Sequence, residues 1–353
     1  MRVGIMTFQE TTNYGALLQT IALHLVLKSK NVDSEIIRYR CENIVKRELP
    51  ESIFANGLLH APISLVSKSV QTKKYKKFEQ FKNSNCVISE KEYDRGNIKE
   101  ADACYDRFIV GSDIVWELNV TGGDTAYYLD FVTGKERKYS FSSSFGYDRV
   151  PAEYEDVTKK LLSDFSAISV RENEGAKIIK ELLGQDVPVT VDPTLLLNGN
   201  EWRSYEKSYK VNKPYVLVYF DDEGRALNFA KKLAEENKLN VVFVRNSLRV
   251  IPGVTTVRDA SVEQFLWLID NATYVVTASY HGVLFSINFN TPFYFYNRAH
   301  FGRINTIVSK LGLENRDIKT GNYSVTDINW DKVNESVEVL RAASMERLNF
   351  IFG

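Results

Sequence analysis

The segment Ser279-Tyr280-His281-Gly282 has the residue types for acid–base chemistry on a bound anion. It follows the apolar run Tyr274–Thr277, which reads as a strand, and leads into Gly282–Asn288, which reads as the start of an apolar helix. A histidine so placed sits at the C-terminal edge of a parallel strand and at a helix N-terminus, where unpaired backbone N–H groups favour phosphate or carboxylate. His281 can then donate a proton to a group held on those amides. Ser279 and Tyr280 are its anion-binding neighbours, and Gly282 lets the backbone come close to a ligand. A lone histidine is more often a core residue satisfied by a carbonyl; the strand-end position weighs toward chemistry. Arg171 has the same address earlier in the chain, between Ser169-Val170 and Glu172-Asn173. Its guanidinium can fork onto phosphate or carboxylate, the competing reading being an exposed pair with Glu172 or Glu174.

Two other turns are weaker candidates. Thr11-Thr12-Asn13-Tyr14-Gly15-Ala16 links a first strand to a first helix, with Asn13 and Gly15 suited to a tight turn that can hold an anion or sugar hydroxyls. Val110-Gly111-Ser112-Asp113 is a polar turn after another strand, and Asp113 can bind a sugar, act as a base or merely cap the next helix. Arg298 and Arg303, after Thr291-Pro292-Phe293, are further basic candidates for an anionic ligand.

These positions need elements that bring strand ends together, and the chain has the grammar for it. Arg2–Phe8, Arg107–Val110, Tyr139–Phe145, Ala167–Val170 and Val187–Val191 read as strands of a first unit, with helices over Ala16–Lys30 and Glu172–Leu183, the latter closed by Gly184. Tyr215–Phe220, Asn240–Val244 and Tyr274–Thr277 alternate with helices over Gly224–Asn237 and Val262–Asn271 in a second. The alternation predicts an α/β protein of two Rossmann-like domains whose parallel sheets face a cleft. We place the N-terminal domain at residues 1–200 and the C-terminal domain at 201–330, with the boundary in the polar stretch Gly199–Lys213. A last helix in 331–353 can pack back on the first domain. Between these units, Ile53–Val66 is apolar and is followed by Lys68, Lys73, Lys74, Lys76 and Lys77. A helical hairpin with a solvated basic face, an insert over about 53–82, is the favoured reading; a membrane-surface patch is the alternative.

Composition narrows the class. Lys+Arg and Asp+Glu are equal at 45 each, so no bulk field draws the chain to nucleic acid and any anion site is built locally. The hydrophobic fraction of 44% and charged fraction of 25% are those of a globular protein. The opening MRVGIMTFQE is too quickly interrupted for a signal peptide, and no stretch approaches a membrane span. Cys41, Cys86 and Cys104 are odd in number and far apart, which argues against a disulfide framework and a zinc site and suits a reducing cytoplasm.

Taken together, the motifs resemble the polysaccharide pyruvyl transferases, a family similar in fold to GT-B-type glycosyltransferases. The likeness runs over roughly residues 3–315 and rests on Asn13-Tyr14-Gly15-Ala16 with Gln19, Val110-Gly111-Ser112-Asp113 with Trp116, Ser143-Ser144-Phe145-Gly146, Ser169-Val170-Arg171, Asp192-Pro193-Thr194, Phe265-Leu266-Trp267-Leu268, and Ser279-Tyr280-His281-Gly282 with Asn290-Thr291-Pro292-Phe293. Their order and spacing carry the signal. The resemblance implies phosphoenolpyruvate as co-substrate, no cofactor or metal, and a sugar or lipid-linked oligosaccharide as acceptor. It implies a cytoplasmic protein that works at the inner face of the membrane if its acceptor is lipid-linked. It places His281, Arg171 and Arg303 in the donor pocket of the C-terminal side. Asn13, Tyr14, Gly15, Ser112 and Asp113 are expected on the acceptor side. Some members carry arginine and leucine before the histidine; Ser279 and Tyr280 stand there, so one donor contact must come from elsewhere. The implied chemistry is protonation of the enol by the His281 imidazolium, with Asp113 as base toward the attacking hydroxyl. A nucleotide-sugar glycosyltransferase and a non-catalytic carbohydrate-binding protein are the rival readings.

Overall fold

The computed structural model describes residues 1–48, 61–297, 302–321 and 327–352. The N-terminal half runs β1 (Arg2–Met6), α1 (Tyr14–Ser29), β2 (Asp33–Tyr39), α2 (Glu42–Glu48), α3 (Ala61–Asn85), β3 (Ile88–Tyr93), β4 (Arg107–Val110), α4 (Leu118–Thr121), β5 (Lys138–Ser140), α5 (Ala152–Leu162) and α6 (Asn173–Leu183). After α7 (Gly199–Arg203), the second half runs β6 (Tyr215–Tyr219), α8 (Arg225–Asn237), β7 (Asn240–Val244), β8 (Val254–Val257), α9 (Val262–Asp270), β9 (Tyr274–Thr277), α10 (Tyr280–Phe289), β10 (Phe293–Phe295), α11 (Arg303–Leu311) and α12 (Trp330–Phe352).

Each half builds one five-stranded sheet, ordered β3-β2-β1-β4-β5 and β10-β9-β6-β7-β8. Every strand pairing is parallel, as expected of strands such as Tyr215–Tyr219 that are buried on both faces. The strand order turns at β1/β4 in one sheet and at β6/β9 in the other. In open parallel sheets a ligand crevice forms outside the strand ends at that point. The loops after β1, β4, β6 and β9 carry the residues of interest, so topology alone brings them to one place.

The strand-like runs around Ser140 are shorter than their sequence suggests. β5 stops at Ser140, and Ala167–Val170 and Val187–Val191 join the sheet only through single bridges, Tyr139 with Ala167, Ser143 with Val170 and Val170 with Val189. Serine and threonine side chains compete with the ladder here. Ser142 Oγ donates to the Val191 carbonyl at 2.5 Å, Ser169 Oγ donates to the Ser140 carbonyl at 3.2 Å, and Ser142 itself is at φ +53°.

The lobes share one apolar core that passes from Val3, Ile5 and Leu17 to Leu217, Phe265 and Phe285. Helix α1 lies inside it, buried on almost every face. Its Tyr14 ring stacks on Phe265 at 4.1 Å between centroids, and the Tyr14 hydroxyl donates to the Ala260 carbonyl at 2.7 Å. Helix α12 crosses back to the first lobe, where Ser344 Oγ accepts from Val191 N–H at 2.9 Å and Arg341 Nε donates to the Leu195 carbonyl at 2.7 Å.

The lysine-rich segment differs from a uniformly solvated or membrane-facing patch. A single helix spans Ala61–Asn85, and Ile53–His60 lies outside the described residues. Lys68, Lys73 and Lys76 are exposed, whereas Lys74 is buried with Nζ 4.5 Å from the Tyr14 ring centroid, donating to Asn246 Oδ1 at 3.3 Å. Lys77 donates to the Asp259 carbonyl at 2.6 Å. Two of the five lysines therefore tie α3 to the second lobe. No helix among the described residues is long and apolar enough to cross a membrane.

Candidate active site

Asp192 is the fixed point of the site. It ends the last strand-like run of the first lobe and starts a one-turn helix, with Oδ1 accepting from Thr194 N–H at 3.0 Å and Thr194 Oγ1 at 2.8 Å. Its Oδ2 accepts from Ser112 Oγ at 2.8 Å and from Arg171 Nη1 at 3.0 Å. His281 Nε2 stands 3.4 Å from the same Oδ2, an ion-pair contact without a hydrogen bond's geometry. Burial alone would raise the Asp192 pKa. His281, Arg171 and the Thr194 amide together outweigh burial and hold the carboxyl well below its usual range. A permanent negative charge thus sits against the imidazole in the interior.

His281 reaches Asp192 because two helix N-termini meet. Ser279 caps α10 by accepting from Gly282 N–H at 3.3 Å, and Asn13 caps α1 by accepting from Gly15 N–H at 3.0 Å. The imidazole lies directly on Gly15: a Cβ there would stand 2.0 Å from His281 Nδ1 and 2.2 Å from Cγ. Only a residue without a side chain leaves room for the ring. Gly282 is needed for another close approach, since its Cβ would fall 2.6 Å from Thr277 Oγ1.

In front of His281 lies a cavity of about 300 Å³. Asn13, Asp113, Ser279, Tyr280, Arg47, Glu117 and Arg303 line it with the histidine. Burial raises the Glu117 carboxyl above its ordinary value, with Arg303 and Arg47 opposing and Asp113 reinforcing the shift. Asp113 is at φ +79° and takes Ile114 N–H on Oδ1 at 2.8 Å. Such a conformation is uncommon outside glycine and stores strain where a side chain must be aimed. The cavity thus offers arginine cations, carboxylates and one imidazole on facing walls, a set able to hold an anion and to move protons to and from it. No group of three or more His, Cys, Asp and Glu with metal-holding geometry occurs among the described residues.

Several predicted residues stand elsewhere than at the cavity wall. Arg171 is 2% exposed and lies behind Tyr280, its guanidinium carbon 4.9 Å from the ring centroid. Its Nη1 donates to both Ser112 Oγ at 3.1 Å and Asp192 Oδ2 at 3.0 Å, with Asp113 and Glu172 carboxylates each at 3.6 Å. Ser112 is fully buried in that network, and Tyr14 is an interlobe contact with its hydroxyl already used. Gly282 gives its amide to Ser279 rather than to the cavity. Arg298 lies outside the described residues. Asp192, Arg47 and Glu117 were not singled out as site residues from sequence. Asp192 had a usable signal, the same strand-end address as Arg171 and His281; Arg47 and Glu117 had none.

The two lobes and the site between their strand ends make this a GT-B-like α/β protein. UDP-GlcNAc 2-epimerase from Neisseria meningitidis bound to UDP-GlcNAc superposes with a TM-score of 0.51 at 10% identity, over 95% of this chain and 90% of that one. UDP-N-acetylglucosamine 2-epimerase from Rickettsia bellii gives 0.49 at 10% identity (97% and 88% covered), and the SsfS6 glycosyltransferase from Streptomyces sp. SF2575 gives 0.43 at 11% (98% and 96%). At such identity the likeness is one of fold. Within that fold the chain belongs to the polysaccharide pyruvyl transferase family, whose family model matches residues 13–300. No curated protein matches the chain by sequence.

Proposed function

We propose that the protein moves the pyruvyl unit of phosphoenolpyruvate onto two hydroxyls of one sugar, forming a cyclic ketal during assembly of a surface polysaccharide. The observation that carries this reading is His281, set against a buried carboxylate on one side and a cation-lined cavity on the other. Asp192, 3.4 Å from Nε2, supplies the counter-charge for an imidazolium, and the other ring nitrogen, Nδ1, is left to deliver the proton. That proton adds to the methylene carbon of the donor, making a methyl group and leaving C2 oxocarbenium-like. A sugar hydroxyl bonds to C2, the bond from C2 to the phosphate oxygen breaks, and a second hydroxyl of the same sugar closes the ring. Of the two hydroxyl protons, the one that Asp113 takes from the attacking hydroxyl is passed on to restore the imidazolium, and the other leaves on phosphate. Arg303 and Arg47 face the donor's anionic groups, while Asp113, with Glu117 near it, receives the proton of the attacking hydroxyl. Arg171 acts from behind, holding Asp192 and Tyr280.

The test is to incubate the protein with phosphoenolpyruvate and a panel of free and lipid-linked galactosides, following phosphate release and product mass. We expect a gain of one dehydrated pyruvate unit on one acceptor, stoichiometric with phosphate. Absence of phosphate release with every acceptor would overturn the reaction. Thermal stabilisation by UDP-sugars but not by phosphoenolpyruvate would favour a glycosyltransferase instead.

A further inference from the structure

Phe220 holds a backbone conformation that a bulky residue rarely adopts, with φ +58° at the C-terminal end of β6. Such a conformation is strained for a side chain of this size and persists only where surroundings impose it. Here the Phe220 carbonyl accepts Ala278 N–H at 3.0 Å, tying the end of β6 to the chain just after β9. The result is that Tyr219 is buried while the Phe220 ring is 40% exposed. An exposed phenylalanine held in a strained conformation gains nothing for the core.

The ring stands between two cavities. On one side is the cavity that contains His281; on the other is a cavity of about 440 Å³ at the ends of β6 and β7. Asn13, Tyr219 and Phe220 line both. The larger cavity, within the usual range of ligand pockets, adds Asp221 and Asp222 immediately beyond the ring. Their orientation is set by the Tyr296 hydroxyl, which lies 3.0 Å from Asp221 Oδ1 and 2.8 Å from Asp222 Oδ1. Asp221 Oδ2 accepts from Leu227 N–H at 2.9 Å.

We propose that Phe220 is the platform on which the acceptor sugar lies, with Asp222 reading its hydroxyls, in a subsite of the second lobe that opens on His281. A pyranose presents C–H groups on its faces and hydroxyls around its rim. The faces suit an aromatic ring, and the rim donates hydrogen bonds to carboxylate oxygens. The placement also answers a geometric need, because the sugar must reach the donor's C2 from the side that the donor's anionic groups leave open. The inference rests on the pyruvyl-transfer reading for the direction in which the sugar points, while sugar binding itself does not depend on turnover.

Saturation-transfer NMR with a panel of methyl β-glycosides (galactose, glucose, mannose and their N-acetylamino forms), without donor, tests the subsite. At least one glycoside should receive saturation at the C–H protons of one ring face. Phe220→Ala should weaken that binding at least 10-fold and Phe220→Trp should restore it, with the thermal shift by phosphoenolpyruvate unchanged in both. Phe220→Gly should lose the sugar yet unfold at no lower temperature than the parent, since glycine accepts the positive φ without strain. Asp222→Asn should change the ranking of the galactose and glucose glycosides. Failure of every glycoside to bind the parent, or parent-like binding by Phe220→Ala, would overturn the subsite. Sugar binding without phosphate release, by contrast, would remove the transfer reaction and leave the subsite standing.

Discussion

Two buried histidines touch helix α1, and their surroundings differ in kind. His24, toward its C-terminal end, is 2% exposed and has ordinary partners: Val87 N–H donates to Nε2 at 3.3 Å, and Ser34 Oγ lies 3.1 Å from Nδ1. With Nε2 accepting, Nδ1 carries the proton and the ring is neutral and satisfied. Burial, reinforced by Lys28, pushes its titration down to about 4. His281, at the other end, is nearly as buried, yet it meets an ionised carboxylate and a cavity lined by arginines instead of a backbone amide and a hydroxyl. Burial therefore does not separate the two imidazoles; their partners do. The distinction lies in whether the second ring nitrogen is spent on the fold.

Removing the ring proposed as the acid should produce the largest effect. His281→Gln keeps a polar group of similar length and should lower phosphate release by about 10²–10⁴-fold, the usual contribution of a positioned acid. Circular dichroism and thermal unfolding should stay near those of the parent. Near-parent turnover would erase the contrast with His24. Asp192→Asn tests the charge behind the ring. It takes from buried Arg171 its hydrogen-bonded carboxylate, and breaking a buried pair typically costs about 3–5 kcal/mol, readable as a lowered unfolding midpoint in urea. Because the Asp192 carboxyl is held below its unfolded value, its contribution to stability is fully present above the unfolded value. It is lost as pH falls through the folded one. The variant should therefore lose the acid-side slope of stability that the parent shows below about pH 4.

The fold was readable because its signals are local and repeated. Runs such as Tyr215–Tyr219 and Tyr274–Thr277 are largely apolar, and each is followed by a helix, so β–α alternation shows in one dimension. The strand-end position of His281 followed from the same grammar. What stayed hidden is contact made between distant segments. Arg171 looked like a residue for a ligand because its own neighbourhood is a strand–helix turn. Its true partners, Ser112 and Asp192, lie 59 and 21 residues away. Gly15 was legible as a turn glycine, but the ring it accommodates comes from the other lobe. Lys74 was read with its neighbours as part of a basic face, since one helix turn of lysines gives no sign of which of them meets Tyr14.

Gly15→Ala sharpens the comparison at the contact itself. The added methyl must displace the His281 ring, because both backbones are held by their caps and alanine is otherwise well suited to a first helical turn. A displacement of about 1 Å can cost about 10² in rate. We expect a loss of that order in kcat with little change in the unfolding midpoint. Gly15→Ala that is as active as the parent would mean that the imidazole position is not what limits the reaction.

The smallest effect at neutral pH belongs to His24, and it is the control for everything said of His281. His24→Gln should leave kcat and KM unchanged, because its partners Val87 and Ser34 do not line the His281 cavity and its amide replacement can still accept from Val87 N–H. Its signature lies in stability against pH. The folded titration near 4 lies below the ordinary value of about 6.5, so the unfolded chain takes up the proton first. The parent should keep its full stability above about pH 6.5, lose this contribution progressively toward pH 4, and lose no more of it below. In His24→Gln that part of the curve should flatten while the lower limb set by Asp192 remains. If the two variants instead changed the same limb, or if His24→Gln slowed phosphate release, the imidazoles at the two ends of α1 would not have the separate roles that their partners give them.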